Sequence, residues 1–269
     1  MIGLVYSEND AVSRAAGESI LMKYSDNIEN WRGFSKIGEI VVCKSKSDLL
    51  HCEYLDGFGF ESIIFMSRHK SKRGIVSFTA HPMGNWMDNA DLGGEPRHLS
   101  VSEPIAMRNF LLEISKKGDE GIDVVYEATH HGPLLKTPSC FMEFGGPESA
   151  LENTRLGQTL GEAAFESANK LCERISNFSK VVIGLGGTHY PRKFTKLAIE
   201  RGYAFAHIMP KHAIINSGTG NNLDMIDAAV ESSRIEPECA VVDWKSLDSD
   251  LGESVIKRLD ELGLDYERI

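Results

Sequence analysis

The sequence lacks several features that define large classes of protein. No apolar run approaches the ~18 residues of a membrane span. The opening stretch, Met1-Ile-Gly-Leu-Val-Tyr6, has neither the basic start nor the cleavage site of a signal peptide and is typical of a first strand. The 5 cysteines form no Cys-x-x-Cys pair, which favours reduced thiols over a disulfide framework or a cysteine zinc site. We therefore expect a cytoplasmic protein with no membrane partner.

Basic residues are in the minority, with 29 Lys and Arg against 39 Asp and Glu and a net charge of −10. This balance argues against broad binding to nucleic acid, and DNA is not an expected partner. Two local clusters still allow contact with one end of a polynucleotide, although charge runs are usually only solvated faces. These clusters are Arg68, Lys70, Lys72 and Arg73 beside His69, and Arg192, Lys193 and Lys196 just past His189.

Several catalytic and cofactor motifs are also absent. No Gly-x-Ser-x-Gly elbow is present, which disfavours a serine hydrolase. Gly184 and Gly186 do not complete Gly-x-Gly-x-x-Gly, because His189 stands at the third glycine position, so a dinucleotide fold has little support. No His-x-x-x-His spacing exists, so any metal ligands must come from different elements of the chain.

The pattern of apolar residues predicts an α/β protein. Short β-branched runs alternate with amphipathic stretches along all 269 residues, which indicates a three-layer α/β/α sandwich with a mixed sheet. No linker, repeat or low-complexity tract marks a boundary, so we expect a single domain over residues 1–269. The segment at about 83–160 is the best candidate for an inserted or embellishing part.

Histidines follow the predicted strands unusually often. Glu127-Ala-Thr-His-His-Gly-Pro133 comes directly after the predicted strand at 122–126. Four other predicted strands each have a histidine at or just after their ends: His69, His81, His189, and the pair His207 and His212. Open α/β sheets place their ligands at the carboxyl ends of strands, so we expect several of these imidazoles to converge on one site. If the chain stays extended, His130 and His131 point to opposite faces.

Two kinds of hydrolytic chemistry fit these residues. Zinc accepts neutral imidazole and carboxylate ligands, and the residues of the right type are His81, Glu127, His130, His131 and His189. Of these, His81, His189 and His130 are taken as the first candidates. Without a metal, His130 or His131 could activate water while Glu127 orients the imidazole. The sequence leaves these alternatives open.

The glycines after the strand at 180–185 have two interpretations. The backbone N–H groups of Gly186 and Gly187 could stabilise an oxyanion, because glycine permits close approach of a substrate. The same residues are equally suited to a tight turn between a strand and a helix.

The histidine-bearing motifs resemble those of the archaeal and plant type D-aminoacyl-tRNA deacylase family. The similar stretches are Glu127–Pro133, Gly184–Tyr190, His207–Ala213, Ser67–Lys70 and Thr79–Pro82. The resemblance covers nearly the whole chain. Thr188 departs from it, standing where another glycine is expected, and the segment after Phe144 lacks an expected tryptophan.

The resemblance implies a phosphorylase/hydrolase-like fold, similar to peptidyl-tRNA hydrolase, in a zinc-dependent monomer. It also implies hydrolysis of the ester between a D-amino acid and the 3′-terminal ribose of tRNA. On this hypothesis His130, His131 and Glu127 are catalytic, and Arg68, Lys70 and Lys193 contact the terminal phosphates of D-aminoacyl-tRNA. The alternatives are a zinc amidase or carboxypeptidase-like hydrolase and a non-catalytic module that binds the tRNA end.

Overall fold

The chain folds into a mixed α/β structure, as its sequence pattern predicts. The computed structural model describes residues 1–70, 74–117, 121–175, 177–216 and 220–269. The strands are β1 (Ile2–Ser7), β2 (Glu29–Trp31), β3 (Phe34–Ile37), β4 (Ile40–Ser45), β5 (Ser62–Lys70), β6 (Ser77–His81), β7 (Asp123–Tyr126), β8 (Ser139–Gly146), β9 (Lys180–Leu185), β10 (Tyr203–Met209), β11 (Ile215–Asn216), β12 (Gly220–Asn221), β13 (Cys239–Val242) and β14 (Tyr266–Arg268).

Eight α-helices are found within the described ranges, together with four short 3₁₀ turns. They are α1 (Ala11–Lys23), α2 (Pro104–Lys117), α3 (Glu148–Leu151), α4 (Thr154–Cys172), α5 (Arg192–Arg201), α6 (Lys211–Ile214), α7 (Met225–Glu231) and α8 (Ser249–Leu262). None of the helices in this part of the chain is both long enough and apolar enough to cross a bilayer.

The larger sheet has eight strands in the order β2-β3-β4-β1-β5-β8-β6-β7. Strands β4, β1, β5 and β8 run parallel, whereas β6 is antiparallel to β8 and β7 is parallel to β6. Helices α1, α2 and α4 pack on one face, and the apolar side chains of β1 and β5 alternate between that face and a second core beneath the 3₁₀ turns. The sheet is therefore mixed and buried on both sides.

A second sheet is parallel and has the order β10-β9-β13-β14. Helix α5 packs against one of its faces, while α7 and α8 cover the other. The mixed α/β class is thus confirmed, but four of the strands form this separate sheet instead of extending the first. Strands β11 and β12 make only a small hairpin.

The middle of the chain contributes to the main sheet. The segment at 83–160, expected as an embellishment, supplies α2, β7 and β8, and β8 lies between β5 and β6. Helices α3 and α4 are separated by a short break, where the Asn153 side chain accepts a hydrogen bond from the Arg155 N–H and caps α4.

The two sheets meet at the residues that follow β7. The Glu127 N–H donates to Ala80 O over 3.0 Å, which continues the pairing of β7 with β6. The next two N–H groups turn to the other sheet: Ala128 donates to His189 O over 2.8 Å and Thr129 donates to Ile208 O over 3.0 Å. This seam holds the histidine-rich segment against the carboxyl ends of β6, β9 and β10.

Candidate active site

Five imidazoles and two carboxylates converge at the seam between the sheets. They come from β5, β6, β8, the segment after β7 and the loop after β9. Ring centroids of neighbouring histidines in this cluster lie 4.1 to 6.4 Å apart. The members, called the histidine cluster below, are His69, His81, Glu127, His130, His131, Glu143 and His189. The expected convergence of histidines from distant strands is therefore confirmed.

His130 and His131 face the same cluster, although an extended chain would place them on opposite faces. The chain leaves the strand conformation after Tyr126, and His131 adopts a left-handed backbone with φ of 44°. The two ring centroids lie 4.4 Å apart, and both rings contact His81. Opposite faces were expected only for an extended chain, and that condition is not met here because the backbone leaves the strand conformation before His130.

Hydrogen bonds to backbone carbonyls orient three of the imidazoles. The Nδ1 atoms of His81, His130 and His131 lie 3.1, 2.8 and 2.7 Å from the carbonyl oxygens of Pro82, Ala128 and Gly132. Carbonyl oxygens only accept, so each Nδ1 carries a proton, and in the neutral form of each ring Nε2 keeps a lone pair. This is the arrangement by which proteins orient histidines that bind metals.

Burial and neighbouring imidazoles keep two of these rings neutral. Burial, together with the nearby charge of His81, lowers the pKa of His131 to about 4. Burial also lowers the pKa of His130 well below its usual value, aided by the adjacent imidazoles. Both rings are therefore uncharged at neutral pH, which is the form that binds a metal or accepts a proton.

Glu127 connects several members of the histidine cluster. Its carboxylate is fully buried, with Oε2 at 2.8 Å from His189 Nε2 and 3.7 Å from His130 Nε2, and Oε1 at 3.4 Å from His69 Nδ1. Burial raises the pKa of Glu127, but the contact with His189 and the charges of His81 and His69 outweigh burial, and the net shift is downward. Glu127 is therefore an anionic centre of the cluster.

Glu143 is the second anionic centre, and the sequence reasoning missed it. It lies in β8 between Ser67 of β5 and Thr79 of β6, so its neighbours come from two other strands. Its Oε2 atom lies 3.5 Å from His69 Nδ1 and 3.6 Å from His81 Nε2. Burial raises its pKa, yet these two imidazoles lower it more and keep the group ionised.

His69 and Tyr190 complete this side of the cluster. The Tyr190 hydroxyl lies 2.5 Å from His69 Nε2, and the two rings meet edge to face. Burial lowers the pKa of His69, but Glu143 and Glu127 raise it by more, so the net shift is upward. A tyrosine beside His189 in the sequence was the only available signal for this contact.

The cluster can hold a metal ion. Three overlapping sets bring their ligand atoms within 4.8 Å of one another: His81, His130 and His131; Glu127, His130 and His189; and His69, Glu127 and Glu143. Three buried atoms of the cluster, His81 Nε2, Glu127 Oε1 and Glu143 Oε2, have no hydrogen-bond partner within the described residues. Orphaned buried atoms of these types fit zinc, which takes imidazole and carboxylate ligands.

The predicted ligands divide between two of these sets. His81 belongs to the first set and His189 to the second, while His130 belongs to both. His207 lies outside the cluster, where its ring nitrogens contact Thr129 Oγ1 and the carbonyl of Ser232. His212 is largely exposed and lines an open cleft of about 170 Å³ next to His130, His131 and His189.

The structure corrects the oxyanion prediction for Gly186 and Gly187. The Gly186 N–H donates to Met209 O over 2.9 Å, and the Gly187 N–H donates to Ser246 Oγ over 2.7 Å. Both donors are engaged within the protein and are not directed at a substrate. Their φ angles of 93° and 77° instead support the alternative interpretation, a tight turn after β9.

Two of the basic residues predicted to contact tRNA are half exposed, and each pairs with a carboxylate. Arg68 is half exposed and its Nε lies 3.3 Å from Asp10 Oδ2 at the start of α1. Lys193 is also half exposed and pairs with Asp243 over 2.5 Å. The side chain of Lys70, together with Lys72 and Arg73, lies outside the described residues.

A family model, several known proteins and a solved structure are similar to this chain. The D-aminoacyl-tRNA deacylase family model matches residues 57–267. The D-aminoacyl-tRNA deacylase of Pyrococcus horikoshii is 36% identical over 239 residues, covering 86% of this chain and 85% of that protein. That of Thermococcus onnurineus is 32% identical over 259 residues, covering 93% and 92%. The crystal structure of AF0625, a conserved protein of unknown function, superposes with a TM-score of 0.86 at 26% identity, covering 100% of this chain and 95% of that one. Because the family model matches well over half of the chain and relatives above 30% identity cover most of it, this chain belongs to the D-aminoacyl-tRNA deacylase family.

Proposed function

We propose that this protein is a D-aminoacyl-tRNA deacylase that hydrolyses the ester between a D-amino acid and the 3′-terminal ribose of tRNA. The products are free tRNA and the D-amino acid. Membership of the family supports the reaction. The observation that carries the proposal is the histidine cluster, with neutral imidazoles and ionised carboxylates beside an open cleft.

The proposed cofactor is zinc. His81, His130 and His189 are the proposed ligands, with Glu127 completing the set around His130 and His189. When bound, zinc lowers the pKa of a coordinated water and polarises an ester carbonyl. The orphaned buried atoms and the Nδ1-to-carbonyl hydrogen bonds support this assignment.

Residues of the chain itself supply the proton transfer and the orientation. His131 presents a neutral Nε2 and is the proposed base that takes a proton from the attacking water, since Gly132 O holds its Nδ1 proton. Glu127 orients His189 through the 2.8 Å contact. His130 has the same orientation as His131 and is either a ligand or the base.

The remaining parts of the proposal concern the substrate. Arg68, Lys70 and Lys193 contact phosphates at the tRNA end and position the substrate without reading its sequence. The D configuration is selected by shape, because an L side chain clashes with the wall of the cleft. The enzyme acts as a monomer in the cytoplasm, where its substrate is found.

Deacylation assays test this proposal. Wild-type protein loaded with zinc should release tyrosine from D-tyrosyl-tRNA and leave L-tyrosyl-tRNA intact. Treatment with a chelator should abolish turnover, and added zinc should restore it. His131→Ala should lower kcat by about 10²- to 10⁴-fold, the usual contribution of a general base.

His98→Ala is the matched control, because His98 is exposed on a loop and lies outside the cluster. It should retain full activity. Hydrolysis of small amides without hydrolysis of D-tyrosyl-tRNA would support an amidase instead. Tight binding of tRNA without turnover in zinc-loaded protein would support a binding module.

A further inference from the structure

A cavity of about 590 Å³ opens beside the histidine cluster. It lies between the start of α5, the strands β6 and β7 and the turn after β13, and His189 belongs both to its lining and to that of the smaller cleft near His130. His189 thus lies between the two cavities, and the larger one adjoins the proposed reaction centre. Ile75, Val125 and Pro191 form an apolar part of the cavity wall. Asp243, Ser246 and Lys193 supply polar groups to the lining.

Asp243 lies at the carboxyl end of β13, directly beside the glycine turn that follows β9. The two strands are parallel, and the Asp243 N–H donates to Leu185 O over 2.8 Å. Lys193 Nζ lies 2.5 Å from Oδ1 and fixes the carboxylate. Among the described residues no hydrogen bond to Oδ2 is found, so this oxygen of a nearly buried residue keeps its capacity to accept one.

The glycine turn keeps this edge of the cavity open. A Cβ atom on Gly187 would lie 3.4 Å from Asp243 Oδ2, and one on Gly186 would lie 2.7 Å from Ser246 Oγ. Both glycines have positive φ angles that disfavour other residues. The turn therefore leaves room for a ligand group to approach the Asp243 carboxylate.

We propose that this cavity binds the 3′-terminal adenosine of the tRNA, and that Asp243 Oδ2 accepts a hydrogen bond from the ribose hydroxyl adjacent to the ester. The proposal rests on the proposed function, since it assigns one part of that substrate. An acidic residue at the end of a strand next to a glycine turn is how many α/β proteins bind a ribose hydroxyl. The base then lies along the apolar wall, and the ester carbonyl points to the histidine cluster.

The chemistry of the cavity favours the adenosine over the side chain of the amino acid. Every substrate ends in the same nucleoside, which fixed polar groups can recognise, whereas the amino acids vary. Binding an apolar side chain next to a nearly buried carboxylate is unfavourable, because the carboxylate would lose water and gain no hydrogen bond. The smaller cleft, lined by Trp86, Met87 and His212, is the remaining place for the aminoacyl group.

Combining a protein variant with an altered substrate tests the assignment. The substrates are D-tyrosyl-tRNA ending in adenosine and the same tRNA ending in 2′-deoxyadenosine, both esterified at the 3′ position. For wild type, loss of the hydroxyl should lower kcat/KM about 10- to 100-fold, as expected for a hydrogen bond to a charged group. Asp243→Asn should show a similar loss with the normal substrate and little further loss with the deoxy substrate.

A minimal ester without the nucleoside supplies the control reaction. Asp243→Asn should lose a smaller factor on D-tyrosine ethyl ester than on D-tyrosyl-tRNA, because the ethyl ester has no ribose hydroxyl for the carboxylate to bind. Asp265→Asn, an exposed aspartate, should match wild type on every substrate. Equal losses from the deoxy substrate in wild type and Asp243→Asn would overturn the proposal.

A second variant tests which part of the substrate fills the cavity. Ile75→Trp places a larger side chain at a partly exposed position in the lining. It should lower kcat/KM for D-alanyl-tRNA and D-tyrosyl-tRNA by the same factor. A loss confined to D-tyrosyl-tRNA would show that the cavity holds the amino acid. Absence of turnover in wild type would instead contradict the proposed function, so the two failures are distinguishable.

Discussion

At the scale of single residues, the site depends on charges that have been removed from water. Glu127 and Glu143 are almost fully buried, and isolated burial of either would favour the protonated form. Imidazoles from three different elements surround them and hold both pKa values below the usual range. In return, the carboxylates raise the pKa values of His69 and His81. The carboxylates and these two imidazoles are therefore mutually dependent.

Replacing Glu143 tests this dependence. Glu143→Gln removes the charge that orients His69 and His81, so zinc affinity should fall about 10- to 100-fold, the usual effect of a lost supporting carboxylate. A competition titration with a coloured chelator measures the affinity. Glu152→Gln, on the exposed surface, is the control and should bind zinc normally. Unchanged affinity in Glu143→Gln would show that the carboxylate does not support the metal.

At the scale of secondary-structure elements, close packing of α1 against α4 holds one face of the large sheet. Gly157 and Gly161 of α4 allow this approach: a Cβ on Gly161 would lie 2.3 Å from Ala16 O, and one on Gly157 would lie 2.8 Å from Ala15 Cβ. Asp10, which caps α1, also pairs with Arg68 next to His69. The helix pair therefore supports the strand that carries part of the site.

Substitution of Gly161 measures how rigid this packing is. Alanine gains about 1 kcal/mol over glycine in a helix, but overpacking against backbone atoms typically costs about 1–3 kcal/mol. The clash with the Ala16 carbonyl cannot be relieved by a side-chain rotation, so we expect Gly161→Ala to lower the free energy of unfolding by about 1 kcal/mol net. Urea denaturation measures the change.

Gly57→Ala is the matched control for that experiment. Nothing lies within 4 Å of a Cβ at Gly57, so its stability should stay close to that of wild type. A Gly161→Ala protein that is more stable than wild type would show that the two helices separate freely, and the tight packing would then contribute little.

At the scale of the whole molecule, the two sheets are joined by buried polar contacts. The His207 ring on β10 lies 3.1 Å from Thr129 Oγ1 and 2.8 Å from Ser232 O. Trp86 Nε1 donates to Thr129 O over 2.8 Å. These bonds fix the segment after β7 against the second sheet, and the same segment carries His130 and His131.

The pH dependence of stability should report on this junction. Burial lowers the pKa of His207 to about 4, against 6.5 for an ordinary histidine. Between these values the unfolded chain binds more protons, so the free energy of unfolding falls as the pH falls through this window. From pH 7 to pH 5 this group alone should remove about 2 kcal/mol of stability.

His207→Gln isolates this contribution, because glutamine does not titrate. Urea denaturation of both proteins at pH 7 and pH 5 should show that wild type loses about 2 kcal/mol more than the variant. The comparison cancels the effects of the other histidines. Parallel losses in the two proteins would mean that His207 does not remain neutral in the folded state.

The sequence by itself determined the alternation of strands and helices, the placement of histidines after strands and the absence of membrane-spanning helices from the described part of the chain. These features follow from local periodicity and composition. The motifs around Glu127, His189 and His207 also indicate the family without reference to the fold.

Only the tertiary structure decided which strands are neighbours, and three site features depend on that choice. Glu143 reaches the site because β8 lies between β5 and β6. Asp243 meets the glycine turn because β13 pairs with β9. Met209 O and Ser246 Oγ accept hydrogen bonds from the N–H groups of Gly186 and Gly187, so these groups are not available as the predicted oxyanion donors. Strand pairing depends on packing between distant parts of the chain, so it cannot be predicted from the local pattern of apolar and polar residues.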